Sequence, residues 1–226
     1  MTVDRYGVMG YPVAHSRSPV IHRLFAQQTG QELRYELLRV APEKLEEAVR
    51  QFQRTGGKGL NITVPHKRAV FRFVDHLSER ASTAGAVNTL SFRDNEIYGD
   101  NTDGIGLLRD LVVNLGLPLE GANVLILGAG GATRGIVGPL LEMQPRNICI
   151  ANRTLKRAED LVERFSSRGS VSACSFDAVP VAEPYELIIN ATSAIHGGEV
   201  PPYPEAAISS QTTCYDLSYS LHPTPF

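Results

Sequence analysis

Lys67 follows a Pro-His pair in "NITVPHK" (61–67), where an apolar run gives way to a helical pattern. Proline cannot donate to a sheet ladder, so a strand over 59–64 ends there and the chain turns outward, setting the lysine at the rim of a sheet. A plain exposed first-turn lysine fits the same placement. A second ionisable residue, Asp103 in "GDNTDGIG" (99–106), opens another helical pattern, where a carboxylate also serves as a simple cap. Together the ammonium and the carboxylate offer a proton-transfer dyad. Ser16 and Ser18 in "AHSRSP" (14–19) precede Pro19 at a helix start and present two hydroxyls to an anion such as a carboxylate. N-capping accounts for one serine but not for both. A fourth polar cluster, "GAVNT" (85–89), also lies at an element end.

The second half carries different chemistry. "NVLILGAGGATRG" (123–135) runs an apolar strand into glycines and then a helix, which offers free backbone N–H groups to a pyrophosphate. Gly128, Gly130 and Gly131 permit close approach, although Thr133 stands at the third glycine position of G-x-G-x-x-G, so a tight strand-to-helix turn is the other reading. Where the next strand ends, an acidic residue would accept the ribose hydroxyls of NAD, but the chain reads "ANRTLKR" (151–157). Arg153 and Arg157, four apart at a helix start, can face one anion, and a planar guanidinium suits a phosphate. NADP follows more naturally than NAD.

Elements must bring these groups to common edges. Strands over 5–9, 34–40 and 59–64 alternate with helical segments over 19–28, 42–54 and 67–85. Pro42 and Glu43 open the second helix and Gly56-Gly57 stops it. Residues 88–92 and 96–99, joined by 93–95, read as a hairpin. An amphipathic helix over 103–115 and the linker "GLPLEGAN" (116–123) follow. The pattern then restarts, with strands over 123–127, 147–151, 170–175, 186–190 and 213–217 and helices over 131–143 and 156–165. Such alternation specifies βαβ units with mostly parallel sheets. The expected architecture is α/β in two domains with a crevice between them: a substrate-binding and catalytic domain over 1–102, a connecting helix and linker over 103–121, and a Rossmann-like NADP-binding domain over 122–226. Ligands of open α/β sheets settle beyond the C-terminal strand ends, so the polar clusters converge there.

The totals exclude several classes. A length of 226 residues suits one large domain or two modest ones, and 42% hydrophobic content, 20% charged content and a net charge of -2 leave no basic stripe for a nucleic-acid backbone. The first ten residues lack a basic segment followed by an apolar core, and no apolar run approaches the roughly 20 residues that cross a bilayer, so a cytoplasmic protein without a membrane partner is expected. Cys149, Cys174 and Cys214 are odd in number and widely spaced, and are expected to be buried reduced thiols. No Cys/His cluster suits a metal, no G-x-S-x-G turn offers a serine nucleophile, and "GGKG" (56–59) lacks the Ser or Thr of a P-loop.

"SRSP", "NITVPHK", "AGAVNT", "GDNTDG", "GAGGATRG", "NRT" with Arg157, "NATS" and "YDLSY" stand in an order and spacing that resembles the shikimate dehydrogenase family from Tyr6 onward. The resemblance implies NADPH-dependent, reversible reduction of 3-dehydroshikimate to shikimate, a small-molecule substrate, and a monomer or homodimer. It implies that Ser16 and Ser18 bind the substrate carboxylate, that Thr63, Asn88 and Asp103 meet ring hydroxyls, that Lys67 and Asp103 are the catalytic pair and that Tyr219 closes on the substrate. For NADP it implies the loop of Gly128, Ala129, Gly130, Gly131 and Ala132, the turn of Asn152, Arg153 and Thr154 with Arg157, and then Thr192 and Leu217. A quinate/shikimate dehydrogenase relative is the alternative within enzymes, and the paired serines lean toward shikimate. The family continues past "HPTPF" (222–226) into a Gly-rich turn and a glutamine-bearing helix, so a truncated NADP-binding form with little activity is a further expectation. Arg23 stands where relatives often carry asparagine and is expected to matter little.

Overall fold

Each half of the chain builds its own sheet, in compact units of residues 1–102 and 103–226. The computed structural model describes residues 3–192, 199–219 and 222–226. Ser193 of the "NATS" motif lies outside the described residues.

In the first unit, strands β1 (Asp4–Gly10), β2 (Leu33–Arg39), β3 (Gly57–Ile62), β4 (His76–Leu77), β5 (Thr89–Arg93) and β6 (Glu96–Asp100) lie in the order β2-β1-β3-β5-β6-β4. The helices α1 (Ser18–Thr29) and α2 (Leu45–Arg54) connect β1, β2 and β3, and those three strands are parallel. Strand β5 runs antiparallel to β3 and β6, and β4 is parallel to β6, so the sheet is mixed. Leu45, Val49 and Phe52 form the buried stripe of α2 and pack on Met9, Leu60, Ile62 and Leu90.

Several local readings change for physical reasons. Gly56 alone makes the helix stop, at φ +87°, while Gly57 begins β3, where a Cβ would stand 2.2 Å from the Phe52 ring. The hairpin turns on Asp94 and Asn95, with φ of 51° and 65°, the positive pair that a tight two-residue turn requires, and Arg93 stays in the strand opposite Glu96. Helical material over 67–85 is interrupted. After α3 (Lys67–Val70) the chain is drawn to the far edge of β6, where Asp75 exchanges bonds with Ile97 and the Ser78 N–H reaches the Gly99 carbonyl at 2.9 Å. Those edge groups need partners, and β4 supplies them before α4 (Glu79–Ala84) begins. Ser78 caps α4 by accepting the Ala81 N–H at 3.1 Å. Strand β3 ends at Ile62, two residues short of the expected limit.

The second unit has five parallel strands, β7 (Asn123–Leu127), β8 (Asn147–Ala151), β9 (Val171–Cys174), β10 (Leu187–Asn190) and β11 (Thr213–Asp216), in the order β11-β10-β7-β8-β9. Chain order reverses between β7 and β10, the switch point at which dinucleotides bind in sheets of this kind. Helices α6 (Gly131–Glu142) and α7 (Leu155–Phe165) follow β7 and β8. The segment read as a connector is α5 (Asp103–Leu108), which continues as a π-helical stretch, Arg109–Asn114. Leu107 and Leu111 pack with Ile136 and Leu140, so this helix is part of the second core. Cys149 and Cys174 are buried reduced thiols, Sγ to Sγ 3.4 Å, whereas Cys214 is exposed because β11 is an edge strand.

His66 pins the end of β3. It is 1% exposed, and its Nε2 meets the Val40 carbonyl at 2.8 Å. Burial lowers its pKa, outweighing the bond to Val40. The unfolded chain therefore binds more protons between that lowered value and about 6.5, and stability, full above this window, falls as pH drops through it. The melting temperature of His66→Gln should fall less steeply from pH 7 to 5 than that of the unmodified chain, whose slope from this group is at most about 1.4 kcal/mol per pH unit; parallel curves would contradict the assignment. Gly104 is where α5 crosses α6: a Cβ there would stand 2.3 Å from Pro139 Cγ and 2.5 Å from the Gly135 carbonyl oxygen. Gly104→Ala should cost about 1–3 kcal/mol in urea unfolding through this overpacking, with Gly106→Ala, which meets nothing within 4 Å, as the harmless control.

Candidate active site

Backbone bonds gather the first unit's polar residues at strand ends. The Thr63 N–H donates to the Met9 carbonyl at 2.9 Å, Tyr11 N–H to Val64 at 2.9 Å, and Val87 N–H to the Lys67 carbonyl at 2.8 Å. Thr63 and Lys67 are thereby tied to the ends of β1 and β3 and to the segment preceding β5. Lys67 opens α3, directly after the buried His66. Ser16 and Ser18 follow β1. The N-cap of α1 is Arg17, without a side-chain capping bond, so neither serine fills that position. Their hydroxyls lie 3.1 Å apart, and the Ser18 N–H donates to Ser16 Oγ at 3.3 Å. Two adjacent hydroxyls and the first turn of a twelve-residue helix suit a carboxylate.

Asn88 is the most constrained member. Its carbonyl accepts the Ile62 N–H at 2.7 Å and its N–H donates to the Asp100 carbonyl at 3.0 Å. Its Oδ1 accepts from the Thr102 N–H at 3.0 Å and the Thr89 hydroxyl at 2.8 Å, and its Nδ2 lies 3.1 Å from Thr102 Oγ1. Thr102, which sequence reasoning passed over, orients the carboxamide. Within "GDNTDG" the structure separates scaffold from candidate chemistry. The Asp100 carboxylate binds Arg80, Ser78 Oγ at 2.5 Å and the Asn101 N–H at 2.7 Å. The Arg80 guanidinium, with Ser78 and Asn101 assisting against burial, holds that carboxyl below the ordinary aspartate range. Asn101 is 2% exposed and donates to the Ala86 carbonyl at 3.0 Å. Asp103 opens α5 as the first residue of the second unit.

The second unit's strand ends carry the other group of candidate residues. Gly128, at φ +104°, donates its N–H to the Ala151 carbonyl at 2.7 Å, and a Cβ there would press on the Ala191 backbone at 3.1 Å. Gly130 is the N-cap of α6, and a Cβ on it would meet nothing within 4 Å, so open space faces the start of that helix. Thr133, in the third glycine position, is fully buried and donates its hydroxyl to the Gly128 carbonyl at 2.8 Å, which closes the turn. Asn152 is a strut: its Oδ1 accepts the Ala129 N–H at 3.1 Å and its Nδ2 donates to the Thr154 carbonyl at 2.8 Å, joining the glycine loop to the arginine turn. Arg153 and Arg157 are exposed around Thr154, the N-cap of α7, and make no ion pair among the described residues. Lys156 pairs with Asp160 at 3.0 Å. No acidic residue stands in that first turn, so uncompensated cations sit at the positive end of a helix dipole, an arrangement that an incoming phosphate would relieve.

At the switch point, Asn190 is 1% exposed, accepts both the Thr192 N–H at 3.1 Å and the Thr192 hydroxyl at 2.8 Å, and donates to Asp216 Oδ1 at 3.2 Å. The Leu217 N–H donates to the Asn190 carbonyl at 3.0 Å. In "YDLSY", Tyr215 is structural: its hydroxyl donates to Asp110 Oδ2 at 2.7 Å, and burial followed by that carboxylate pushes it up to about 12. Tyr219 is exposed. Among the described residues no group of three or more His, Cys, Asp or Glu could hold a metal ion, and no helix is long and apolar enough to cross a membrane.

Comparison with known proteins covers both units. Residues 8–90 match the shikimate dehydrogenase substrate binding domain and residues 111–197 match the shikimate / quinate 5-dehydrogenase family. A shikimate dehydrogenase (NADP(+)) of Alkalilimnicola ehrlichii is 52% identical over 223 residues, 99% of this chain and 82% of that protein. Among solved structures, an Ael1 enzyme from Pseudomonas putida superposes with a TM-score of 0.86 at 42% identity, over 99% of this chain and 82% of that one. Shikimate 5-dehydrogenase from Thermus thermophilus, in complex with NADP(H) and shikimate, gives 0.82 at 32% identity, over 95% of this chain and 78% of that one. With both halves matched in order and nearly the whole chain covered, the protein belongs to the shikimate dehydrogenase family.

Proposed function

We propose that this protein catalyses the reversible, NADPH-dependent reduction of 3-dehydroshikimate to shikimate, with Lys67 and Asp103 as the proton-transfer pair. One observation carries the reading: Lys67 stands at a strand end fixed by the His66 pin and the Val87 bond, in a chain whose relatives are NADP-type shikimate dehydrogenases. The residues present fit the cofactor, since the positive-φ Gly128, the open approach to Gly130 and the acid-free arginine turn match a pyrophosphate and a second phosphate. When bound, NADPH supplies the hydride.

The chain's own residues supply the rest. Ser16 and Ser18 take the substrate carboxylate, and Thr63 and Asn88 take ring hydroxyls. As negative charge develops on the carbonyl oxygen, the Lys67 ammonium stabilises it and delivers a proton from Nζ. Asp103 accepts a hydrogen bond from the substrate and orients that transfer. Thr192, Leu217 and Asn152 hold the walls of the cofactor site through their strand-end bonds. The reading is tested by following NADPH oxidation with 3-dehydroshikimate; absence of turnover in folded protein that binds both ligands would reject it.

Two variants test the roles. Lys67→Ala should lower kcat by about 10² or more while raising KM much less, because the charge is needed chiefly as the alkoxide develops. Comparable turnover across pH would remove Lys67 from the chemistry. Arg153→Gln should weaken NADPH about 10- to 100-fold, the loss of one charge-assisted bond, with little effect on NADH. Equal losses for both cofactors in titrations of nicotinamide fluorescence would mean that Arg153 does not read the 2′-phosphate.

A further inference from the structure

On the sheet face opposite the α2 core, a line of polar side chains from β2, β3 and β5 passes over β1 and ends on Asn88. Tyr35 of β2 donates its hydroxyl to Asn61 Oδ1 on β3 at 2.5 Å. Asn61 Nδ2 reaches Thr89 Oγ1 on β5 at 3.5 Å, and Thr89 Oγ1 donates to Asn88 Oδ1 at 2.8 Å. His22 of α1 stacks on the Tyr35 ring, centroids 4.1 Å apart and planes 11° from parallel, which fixes where the phenol points.

Every bond in this line runs the same way. The Thr102 N–H can only donate, so the Asn88 carbonyl oxygen must face it and the amide NH2 is the donor side. Thr89, donating its one proton to Asn88, must accept from Asn61, and Asn61, which His22 also meets by a hydrogen bond, has its NH2 toward Thr89 with its oxygen on the Tyr35 hydroxyl. Bonds aligned head to tail polarise one another. Removal of the phenolic proton lets the Asn61 amide turn over and present its oxygen to Thr89, which then draws the Thr89 proton away from Asn88.

We propose that Tyr35 is a positioning residue for substrate binding, acting through Asn61 and Thr89 to reinforce the Thr102 bonds that hold the Asn88 carboxamide with its NH2 group as the donor offered to the substrate ring. The inference rests on the function proposed above, with Asn88 as a substrate contact. Tyr35→Phe keeps the ring and its stack on His22 and deletes only the hydroxyl.

The test has two independent readouts on the full chain. Side-chain amide resonances of 15N-labelled protein, with the Asn88 pair assigned by its loss in Asn88→Ala, should shift in Tyr35→Phe and in Thr89→Val. Unmoved Asn88 resonances overturn the link, whether or not the protein turns over shikimate. In steady-state kinetics, Tyr35→Phe should raise KM for shikimate about 3- to 10-fold, the scale of one net hydrogen bond, with KM for NADP unchanged and kcat within about twofold. Thr89→Val should match it and Thr89→Ser should restore the original KM. In an Asn88→Ala background, Tyr35→Phe should have no further effect. An unchanged KM, or an equal effect in that background, overturns the positioning role. If the unmodified protein oxidises no shikimate, the parent function fails, while the resonances still decide the link.

Discussion

The pair of hydrogen bonds that the Asn88 backbone makes, carbonyl to the Ile62 N–H and N–H to the Asp100 carbonyl, holds the ends of β3 and β6 in one place. Neither strand pairs with the other, since β5 lies between them and starts only at Thr89. One residue therefore closes the gap that the sheet leaves open. The Asn101 side chain on the Ala86 carbonyl and the Val87 N–H on the Lys67 carbonyl repeat the tie on either side. The three motifs that contain Lys67, Asn88 and Asp103 are thus joined by buried polar bonds, and a buried donor or acceptor left unmade costs about 1–3 kcal/mol. That cost keeps the segments around Lys67, Asn88 and Asp100 in register within the first unit.

The polar residues around this tie are not separated by residue type. Asp100 and Asp103 are three residues apart in one motif, yet Asp100 is consumed by Arg80, Ser78 and Asn101 and serves the scaffold. No spacing rule separates scaffold from candidate ligand here, because both lie at the same strand ends. What marks Asp100 as scaffold is its own set of internal partners, which only the fold supplies. Thr102 escaped notice for the same reason: its importance lies in a bond to a residue fourteen positions earlier.

Secondary structure was legible wherever a single period ran for five residues or more. Strands such as 123–127 and 147–151 coincide with β7 and β8, and the alternation of strands and helices led directly to parallel order in the second sheet. What escaped was structure set by a neighbour. Strand β4 has two residues, no period of its own, and exists because β6 has an open edge. The helix over 103–114 was legible as a helix but not as part of the second core, since an amphipathic stripe does not say which apolar face it will meet. Cys214 was misplaced because cysteine count and spacing do not show that its strand lies at a sheet edge, where it is exposed.

The glycine loop shows how a departure from a motif can be repaired locally. The third glycine of the fingerprint permits close packing of helix on strand, and Thr133 occupies that position with no exposure at all. Its hydroxyl would carry a desolvation penalty in that place unless bonded, and the Gly128 carbonyl accepts it at 2.8 Å. The bond draws the first turn of α6 back onto the loop that precedes it. Asn152 closes the same loop from the other side through the Ala129 N–H. With its backbone held at both ends, the loop need not be ordered by a ligand. The cations of the arginine turn have no acidic neighbour in the first turn of α7, so that turn offers an anion charge, whereas the loop offers it backbone shape.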